Sequence, residues 1–380
     1  MCIYFRMAII HNRYRELLKK NKAALKLFFN KHWFVILVVI TASIVVYFYF
    51  TSIFRRIPRS FARMDPLIRG LDIHPVTSCP KLIENGYKLC DFYVASAYRC
   101  FLPCTQYYDY SSVEMIKRCL ISGARYLELD IFNKGFCYET VPVVCTGRVT
   151  GNWHYTTELS FDDCCNMIAS YAFSGLVKNS SDPFFLCLNL NVDGNTRTLD
   201  KVANIIQNYF GNQLLGQNYS YQRTNLAQVR LKELLDKLVI FSSCRCKGSK
   251  LDELINYSWK QPFMRNYSHY EIIDLYEPKE VTDYNRSSLT RVHPGFVTRE
   301  TQNYNPRISW MYGCQFVSMN YSSPDENMII YMKKFRKSSF VLKPYKLRFH
   351  PKYYKSPTPQ TKKVSFAPEQ HSTPNYSITY

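Results

Sequence analysis

The chain has 380 residues, 14 cysteines and a formal net charge of +20, so it is long enough for one large domain with appendages or for two ordinary domains. The charge is concentrated in three segments, because residues 1–32 carry eight Lys or Arg against one acid, residues 55–69 five against one, and residues 333–363 eleven against none. A nearly neutral body with basic flanks excludes nucleic-acid binding as the main role and favours attraction to anionic lipid headgroups.

Residues 33–54, WFVILVVITASIVVYFYFTSIF, form an apolar run of 22 residues without a charge, after a basic amino-terminal segment at residues 1–32. A helix of this length spans the hydrocarbon core of a bilayer, so we predict a transmembrane helix. A cleaved signal peptide is disfavoured, because the run starts late and ends in bulky side chains where cleavage requires small ones. A buried core helix is disfavoured because the run has no polar stripe. We therefore expect a single-pass membrane protein.

The orientation of this helix is predicted from its surroundings. Eight Lys or Arg precede the apolar run and five follow it closely, which favours a cytoplasmic amino terminus and a lumenal or external body. Thirteen of the 14 cysteines follow the run, and this suits an oxidising compartment. Seven N-x-S/T sequons point the same way; they begin at Asn179, Asn218, Asn256, Asn266, Asn285, Asn320 and Asn375.

Beyond a juxtamembrane segment at residues 55–85, strand-like and helix-like segments alternate, which is typical of a parallel sheet. Strands are predicted at residues 92–97, 125–132, 142–146, 183–192 and 237–243, and helices at residues 111–123, 160–173 and 198–210. Ser111 and Glu114 form a candidate capping box for the first helix, and Gly211 ends the third. The repeated units predict an α/β fold of the (β/α)8 barrel type, with a doubly wound sheet as the open alternative.

The carboxyl-terminal part begins with a further predicted strand at residues 340–345, FVLKPY. Residues 346–380 are basic and rich in Pro and Ser, a composition that cannot bury a core, so we predict a flexible tail. Within this tail, KKVSF at residues 362–366 fits the basic-x-Val-x-Phe docking pattern for a type 1 protein phosphatase. That phosphatase is cytosolic, which conflicts with a lumenal body.

Residues 92–345 resemble the X and Y catalytic halves of the eukaryotic phosphoinositide-specific phospholipase C family, which implies a distorted TIM barrel. In the X half the similar segments are SSVEMIKRCLISGARYLELDIF (111–132), DPFFLCLNLNV (182–192) and KLVIFSS (237–243). In the Y half they are ELINY (253–257), YNRSSLTRVHPG (284–295), NYNPRISWMYGCQFVSMNYSSPD (303–325) and FVLKP (340–344). We place the X-like half at residues 86–244 and the Y-like half at residues 251–345.

The resemblance implies a phosphodiesterase that uses one histidine as general base and a second to steady the phosphate and the leaving group. Those positions are Tyr98, in SAYRCFL (96–102), and Thr146, in PVVCTGR (142–148). A phenol titrates at about 10 and a threonine hydroxyl does not titrate in this range, so neither replaces a histidine near neutral pH. His154, in a longer segment after Thr146, is a candidate rescue, and its more ordinary interpretation is a surface residue.

The resemblance also implies a calcium site, whose ligand positions here are Arg99, Glu128, Asp130 and Asn189; the family has Asn at the first and Glu at the last. Calcium takes roughly six to eight oxygen ligands and a guanidinium supplies none, so we expect no calcium and no other cofactor. We expect Arg99 to replace the cation electrostatically by pairing with Glu128 and Asp130. The alternative is that Arg99 extends to solvent and one carboxylate takes up a proton.

At the substrate positions implied by the resemblance, Arg291 matches the inositol-phosphate arginine and His293 replaces a tyrosine. The lysines expected at the end of the X half are Phe241 and Ser243, and an expected serine is replaced by Ile273 and Asp274. Phosphoinositide therefore remains a candidate ligand with a weakened set of cations.

The loss of both histidines and two metal ligands beside a well-kept framework predicts a membrane-anchored pseudoenzyme that binds, scaffolds or senses lipids. The competing prediction is a residual phosphatidylinositol phosphodiesterase in lipid signalling, which would work through His154, Arg291, Glu128 and Asp130.

Overall fold

The structure is a computed structural model, and it describes residues 2–103, 105–107, 109–135, 139–295, 302–351 and 370–379. Its centre is a parallel sheet of eight strands: β1 (Phe92–Ala97), β2 (Tyr126–Lys134), β3 (Phe184–Leu190), β4 (Leu238–Ser242), β5 (Tyr257–Ser258), β6 (Met264–Ser268), β7 (Leu289–His293) and β8 (Phe316–Met319). Except for β5 and β6, strands that are consecutive in the chain are neighbours in the sheet, and β8 returns to pair with β1 in a register that places Val94 opposite Phe316.

The sheet is a nearly closed barrel. Among the described residues, β5 and β6 are the consecutive strands that do not pair, so one seam stays open. A doubly wound sheet would not bring β8, the last of the eight strands, back to pair with β1, the first. The predicted barrel is therefore confirmed.

The helices cover the outside of this barrel and give the chain its main apolar core. Within the described ranges, nine follow the long amino-terminal helix: Pro80–Glu84, Val113–Ile121, Phe161–Ala172, Thr196–Phe210, Leu251–Leu254, His269–Ile273, Pro278–Tyr284, Pro306–Met311 and Glu326–Lys334. Helix Thr196–Phe210 illustrates their construction, because Leu199, Val202 and Ile206 recur at helical spacing and are buried. The Asn195 side chain caps its first turn by accepting from the Thr198 amide.

Several shorter strands lie outside the parallel barrel, and one of them corrects a prediction from the sequence. The strand predicted at residues 142–146 is Glu139–Val144, which runs antiparallel to β2 and pairs on its other side with Leu159–Ser160, so it does not contribute to the barrel. Phe340–Leu342 likewise pairs antiparallel with β1. A small hairpin joins Gly147–Arg148 to Trp153–His154.

The carboxyl-terminal tail is not wholly without structure, contrary to prediction. Gln370–Thr373 and Tyr376–Thr379 form an antiparallel hairpin in which Thr373 lies opposite Tyr376. The two residues between them are Pro374 and Asn375, types that favour tight turns. The candidate phosphatase motif at residues 362–366 lies outside the described residues.

The predicted capping box at the start of helix Val113–Ile121 is also wrong. Ser112 occupies the cap position without a side-chain cap. The Ser111 hydroxyl instead lies 2.9 Å from that of Thr156, and Glu114 pairs with Lys117. The Ser111 hydroxyl is thus used in a tertiary contact and is not available for the capping box.

The barrel interior is apolar toward the amino ends of its strands and polar toward their carboxyl ends. Tyr126, Phe185, Phe241 and Phe316 are fully buried, and the other three rings lie with their centroids 4.6–5.3 Å from that of Phe316. Because side chains alternate along a strand, the next inward positions are two residues further along. There the side chains are polar: Glu128, Asn266, Arg291 and Ser318. The carboxyl ends of the strands, called the barrel mouth below, therefore carry the candidate site.

The amino-terminal helix is one element, Cys2–Arg69, of 68 residues. Its part from residue 30 onward is long and apolar enough to cross a membrane by length and composition, with a mean hydropathy of 2.4 over its most apolar window and none of that window buried. Its last turns pack on the barrel, where Met64 is 2% exposed and Asp65 accepts from Arg118 at 2.6 Å. The helix thus runs without a break from the apolar segment to the surface of the barrel.

Candidate functional site

Two buried acids stand one above the other on β2. Glu128 is fully buried and Asp130 is 2% exposed. Asp130 lies opposite Asn189 of β3 in the strand register. Arg291 enters the same space from β7, on the other side of the barrel, and is 2% exposed. Ionised carboxylates are costly to bury unless cations or hydrogen-bond donors surround them, so the partners of these two acids decide what the site can do.

The deeper acid, Glu128, is paired by Arg291. The Arg291 Nε donates to Glu128 Oε1 at 2.7 Å, and Nη2 bonds to Oε2, so the contact is bidentate. The Ser318 hydroxyl also donates to Oε1. The third guanidinium nitrogen bonds to the Asn266 side chain, and the plane lies over the Trp259 ring at 4.7 Å. Arg291 is thereby held inside the barrel.

The upper acid, Asp130, is paired by Arg99. The Arg99 Nε lies 2.7 Å from Asp130 Oδ2, and the Asn189 amide donates to Oδ1 at 2.7 Å. The Arg99 Nη1 donates to Gln106 Oε1 at 2.6 Å, and the Arg99 side chain is 12% exposed. The expected pairing of Arg99 therefore holds for Asp130, and the solvent-extended alternative does not. Glu128 has Arg291 as its partner instead, because it lies one layer deeper.

The backbone of Arg99 explains how the side chain returns over the barrel. Arg99 lies in the turn that follows β1 and has a φ of 40°, in the left-handed region that L-residues seldom adopt. Such conformations cost roughly 1–3 kcal/mol and persist where surrounding contacts fix them. The ion pair with Asp130 and the bond to Gln106 are contacts of that kind.

The residues present do not fit calcium. Three of the four oxygens of Glu128 and Asp130 already accept hydrogen bonds from a guanidinium, an amide or a hydroxyl, and the fourth, Asp130 Oδ2, lies in an ion pair with Arg99 Nε. The two formal negative charges are matched by Arg99 and Arg291, which leaves no net charge to attract a divalent ion. In the part of the chain that the structure describes, no three His, Cys, Asp or Glu side chains group as metal ligands.

The two positions aligned with the catalytic histidines are buried and carry no base. Burial raises the pKa of Tyr98 to about 12, so the phenol keeps its proton at neutral pH. Thr146 is 1% exposed, and its hydroxyl donates to the Gln106 carbonyl at 2.7 Å. Neither group accepts a proton from a substrate hydroxyl near neutral pH.

His293 is the imidazole that lies in the mouth, stacked on Tyr98 with the ring centroids 6.2 Å apart and the planes 9° apart. Burial, with the neighbouring Arg291 charge, lowers the pKa of His293 to about 3. Its Nδ1 lies 2.6 Å from the Pro294 carbonyl and therefore carries the proton. An imidazole with so low a pKa is a poor base at neutral pH.

His154, the candidate rescue, is tied to its own neighbours. Its Nδ1 lies 2.7 Å from Glu158 Oε1, and its ring packs edge-on against Phe132 at 5.4 Å. Its side chain is only 9% exposed, so its interpretation as a surface residue is wrong. The carboxylate that the sequence analysis did not consider, Glu158, explains why a polar ring is held there.

The remaining substrate positions supply no cation. Phe241 stacks on Tyr257 within the apolar layer of the barrel, at 5.1 Å and 11°. The Ser243 hydroxyl accepts from the Leu190 amide at 2.9 Å, and Ile273 is 50% exposed. Asp274 follows the short helix His269–Ile273.

Beside the seam between β5 and β6 lies a cleft of about 690 Å³, lined in part by Trp259, Lys260, Arg265 and Glu280. Arg265 is bound by Glu280 at 2.7 Å and 2.8 Å. Glu280 therefore pairs with Arg265, and Lys260 is a second cation that lines this cleft.

Three residues of the site were not identified from the sequence. Gln106 links Arg99 to Thr146 from a loop whose length gives no alignment. Asn266, which bonds to Arg291, is identified from the sequence only as the start of a sequon. Ser318 lies in a matched segment, and its position two residues after Phe316 of the apolar layer marks it as inward-facing.

Comparisons with known proteins agree with this architecture. The family model Phosphatidylinositol-specific phospholipase C, X domain, matches residues 86–243, and the corresponding Y domain model matches residues 235–346. The chain is 25% identical over 358 residues to 1-phosphatidylinositol 4,5-bisphosphate phosphodiesterase beta-1 of Bos taurus. It is 22% identical over 326 residues to Inactive phospholipase C-like protein 1 of Homo sapiens. Each match covers 71% of this chain and 28% of the relative.

Solved structures show the same fold. PLC21 of S. officinalis aligns with a TM-score of 0.59 and PLC21 of L. pealei with 0.57, both at 22% identity. They cover 70% and 69% of this chain, and the chain covers 38% of each of them.

The stability of the barrel is expected to depend on pH through His293. Its pKa is about 3 in the folded state against 6.5 for the free group. As pH falls below 6.5, the imidazole is protonated in the unfolded state but stays neutral in the folded state. The free energy of unfolding therefore falls by about 1.4 kcal/mol per pH unit because of this group. Between pH 7 and pH 4.5 the wild type should lose roughly 2–3 kcal/mol more than His293→Gln in urea unfolding. Equal losses would contradict the burial of a neutral imidazole.

The pair of Arg99 and Asp130 is expected to act as a unit. Asp130→Asn or Arg99→Met alone leaves a buried charge unmatched and should cost about 3–5 kcal/mol of unfolding free energy. The double variant should be destabilised by clearly less than the sum. The exposed pair of Arg265 and Glu280 is the control, since breaking it should cost less than about 1 kcal/mol. Additive effects of Arg99→Met and Asp130→Asn would show that the two side chains are not coupled.

Proposed function

The chain belongs to the phosphatidylinositol-specific phospholipase C family, and from that premise we propose that it is a membrane-anchored pseudoenzyme that binds, scaffolds or senses lipids. One observation supports this proposal above others: the acids that would hold a divalent ion are instead paired with Arg99 and Arg291. The chain has the barrel of the family, but ion pairs occupy the position at its mouth where the metal ion would bind.

The proposed loss of hydrolysis follows from what Tyr98, Thr146 and the two histidines can do. A positioned general acid or base contributes about a hundred- to ten-thousandfold to a reaction rate. Tyr98 and Thr146 supply neither role, His293 stays neutral, and His154 is bound to Glu158. Residual hydrolysis, the competing function, would require one of these groups to leave its present partners. Inactive phospholipase C-like protein 1 is the relative whose name describes such a loss.

Membrane attachment is proposed to come from the amino-terminal helix, with the barrel mouth facing the lipid. Apolar side chains are exposed just beyond the carboxyl end of β6: Tyr270 is 52%, Ile273 50% and Tyr276 96% exposed. Exposed apolar groups around a site favour contact with a membrane. A phosphoinositide headgroup is the proposed ligand of the mouth, where Lys260 and Trp259 line the cleft beside the seam.

Orientation in the membrane remains the prediction from the flanking charges, with the barrel lumenal or external. The sequons carry less weight in its favour than the sequence suggested. Asn218 and Asn375 are exposed, whereas Asn179, Asn256, Asn285 and Asn320 are buried and Asn266 bonds to Arg291 inside the barrel. The cysteines whose side chains the structure describes are free thiols, most of them buried.

Glycosylation tests this orientation. A lumenal barrel should carry N-glycans at Asn218 and Asn375 only, because a glycan cannot be accommodated on a buried asparagine. We expect a mobility shift with endoglycosidase that disappears in the variant Asn218→Gln/Asn375→Gln. An unshifted wild-type protein would place the barrel on the cytosolic side instead.

Inositol phosphate release tests the pseudoenzyme proposal. The full chain, reconstituted in vesicles that contain phosphatidylinositol 4,5-bisphosphate, should release product at the rate of empty vesicles, with or without calcium. The bovine beta-1 phosphodiesterase in the same vesicles is the positive control. Calcium-dependent turnover by the wild-type chain that is lost in Asp130→Asn would refute the proposal.

A further inference from the structure

A second cleft lies where the amino-terminal helix meets the barrel mouth. It has a volume of about 560 Å³. Arg59 and Arg63 line it from the helix, and Pro103, Ser322 and Asp325 line it from the loops that follow β1 and β8. None of the four charged groups of the ion-paired site in the barrel takes part in this cleft.

The two arginines of this cleft are unmatched cations. They are four residues apart, so they lie on one face of the helix, and both are exposed. Among the described residues neither guanidinium meets an acceptor. Other arginines of the chain, such as Arg99, Arg118 and Arg291, are each bound to an acid.

The acids near the cleft are already committed. Asp65, the one acid in residues 55–69, accepts from Arg118 at 2.6 Å. Asp325 caps helix Glu326–Lys334, with one carboxylate oxygen accepting from the Met328 amide and the other from the Asn303 amide, both at 2.8 Å. The positive end of that helix offsets the Asp325 charge in part. With two guanidinium groups against one carboxylate, the cleft therefore keeps a net positive charge.

The helix is clamped at this point, which holds the two arginines in place. The Ser60 hydroxyl, buried at 8% exposure, donates to the Pro103 carbonyl. Met64, one turn further, is 2% exposed in the main core. Ser60 and Met64 thus face the barrel, and Arg59 and Arg63 border the cleft beside them. An anion bound there would meet donors that have already lost part of their freedom.

The position along the helix indicates which anion is near. At about 1.5 Å per residue, Arg59 and Arg63 lie about 8 and 14 Å beyond residue 54, where the apolar run ends. The headgroup layer is about 5–8 Å thick. Helix side chains lean toward the amino terminus, here toward the membrane, and arginine side chains are long. Both guanidinium groups can therefore reach the depth of lipid phosphates.

We propose that this cleft binds the phosphate group of an anionic lipid headgroup through Arg59 and Arg63. Guanidinium groups pair with phosphate by two parallel hydrogen bonds each, and two of them on one helix face suit a terminal phosphate. The site deepens the proposed function, because it rests on the membrane anchor, and it fixes how the barrel stands on the bilayer. It is separate from any headgroup bound in the mouth.

Binding of a lipid without inositol tests the site. The full chain in detergent is titrated with dioctanoyl phosphatidic acid, with dioctanoyl phosphatidylcholine, and with glycerol 3-phosphate, which has the same phosphate without acyl chains. We expect phosphatidic acid to bind at least about tenfold tighter than phosphatidylcholine, and Arg59→Gln/Arg63→Gln to lose about tenfold or more. Arg69→Gln/Lys81→Gln, which removes two exposed charges outside the cleft, should change affinity less than about twofold.

Two outcomes would overturn the proposal: unchanged affinity in Arg59→Gln/Arg63→Gln, or an equal loss in the control variant, which would indicate diffuse attraction. Glycerol 3-phosphate binding as tightly as phosphatidic acid would assign the site to a soluble phosphate and overturn its lipid source. Carbonate extraction of membranes tests the membrane anchor separately from the phosphate site. Both wild type and Arg59→Gln/Arg63→Gln should stay with the membrane, whereas extraction of the wild type would refute the anchor and leave the detergent titration readable.

Discussion

Two carboxylates and two guanidinium groups share the mouth of this barrel, and the rest of the site depends on their mutual neutralisation. Glu128 and Asp130 could not both stay ionised at such burial without cations. Arg291 supplies one from β7 and Arg99 supplies the other from the turn after β1. Two guanidinium groups of the chain itself thus provide the two positive charges that a bound divalent ion would provide.

This constraint connects the framework of the barrel with the proposed loss of hydrolysis. The apolar layer around Phe316 and the register of the eight strands hold β2 and β7 so that Glu128 and Arg291 meet. Tyr98 and His293, both uncharged, stack on each other in the same mouth. A buried pair of this kind is costly to break. We infer that the mouth has been stabilised as structure rather than left as a damaged catalytic centre.

Much of the fold could be predicted from the sequence, because strand and helix patterns repeat along the chain and the segments around Glu128, Arg291 and Phe316 follow a known family. What could not be predicted depended on contacts between distant segments. Asp130 and Glu128 are two residues apart and seemed equivalent for Arg99, but only the barrel geometry shows that Arg291 lies level with Glu128. The direction of the strand Glu139–Val144 also follows from tertiary pairing.

Calcium binding tests the central claim most directly. Titration calorimetry of the full chain with calcium should give no saturable heat, because Arg99 and Arg291 already neutralise the acids. One calcium bound per chain, with binding abolished by Asp130→Asn, would contradict the account, since it would require Arg99 to leave Asp130 and yield its place to the ion.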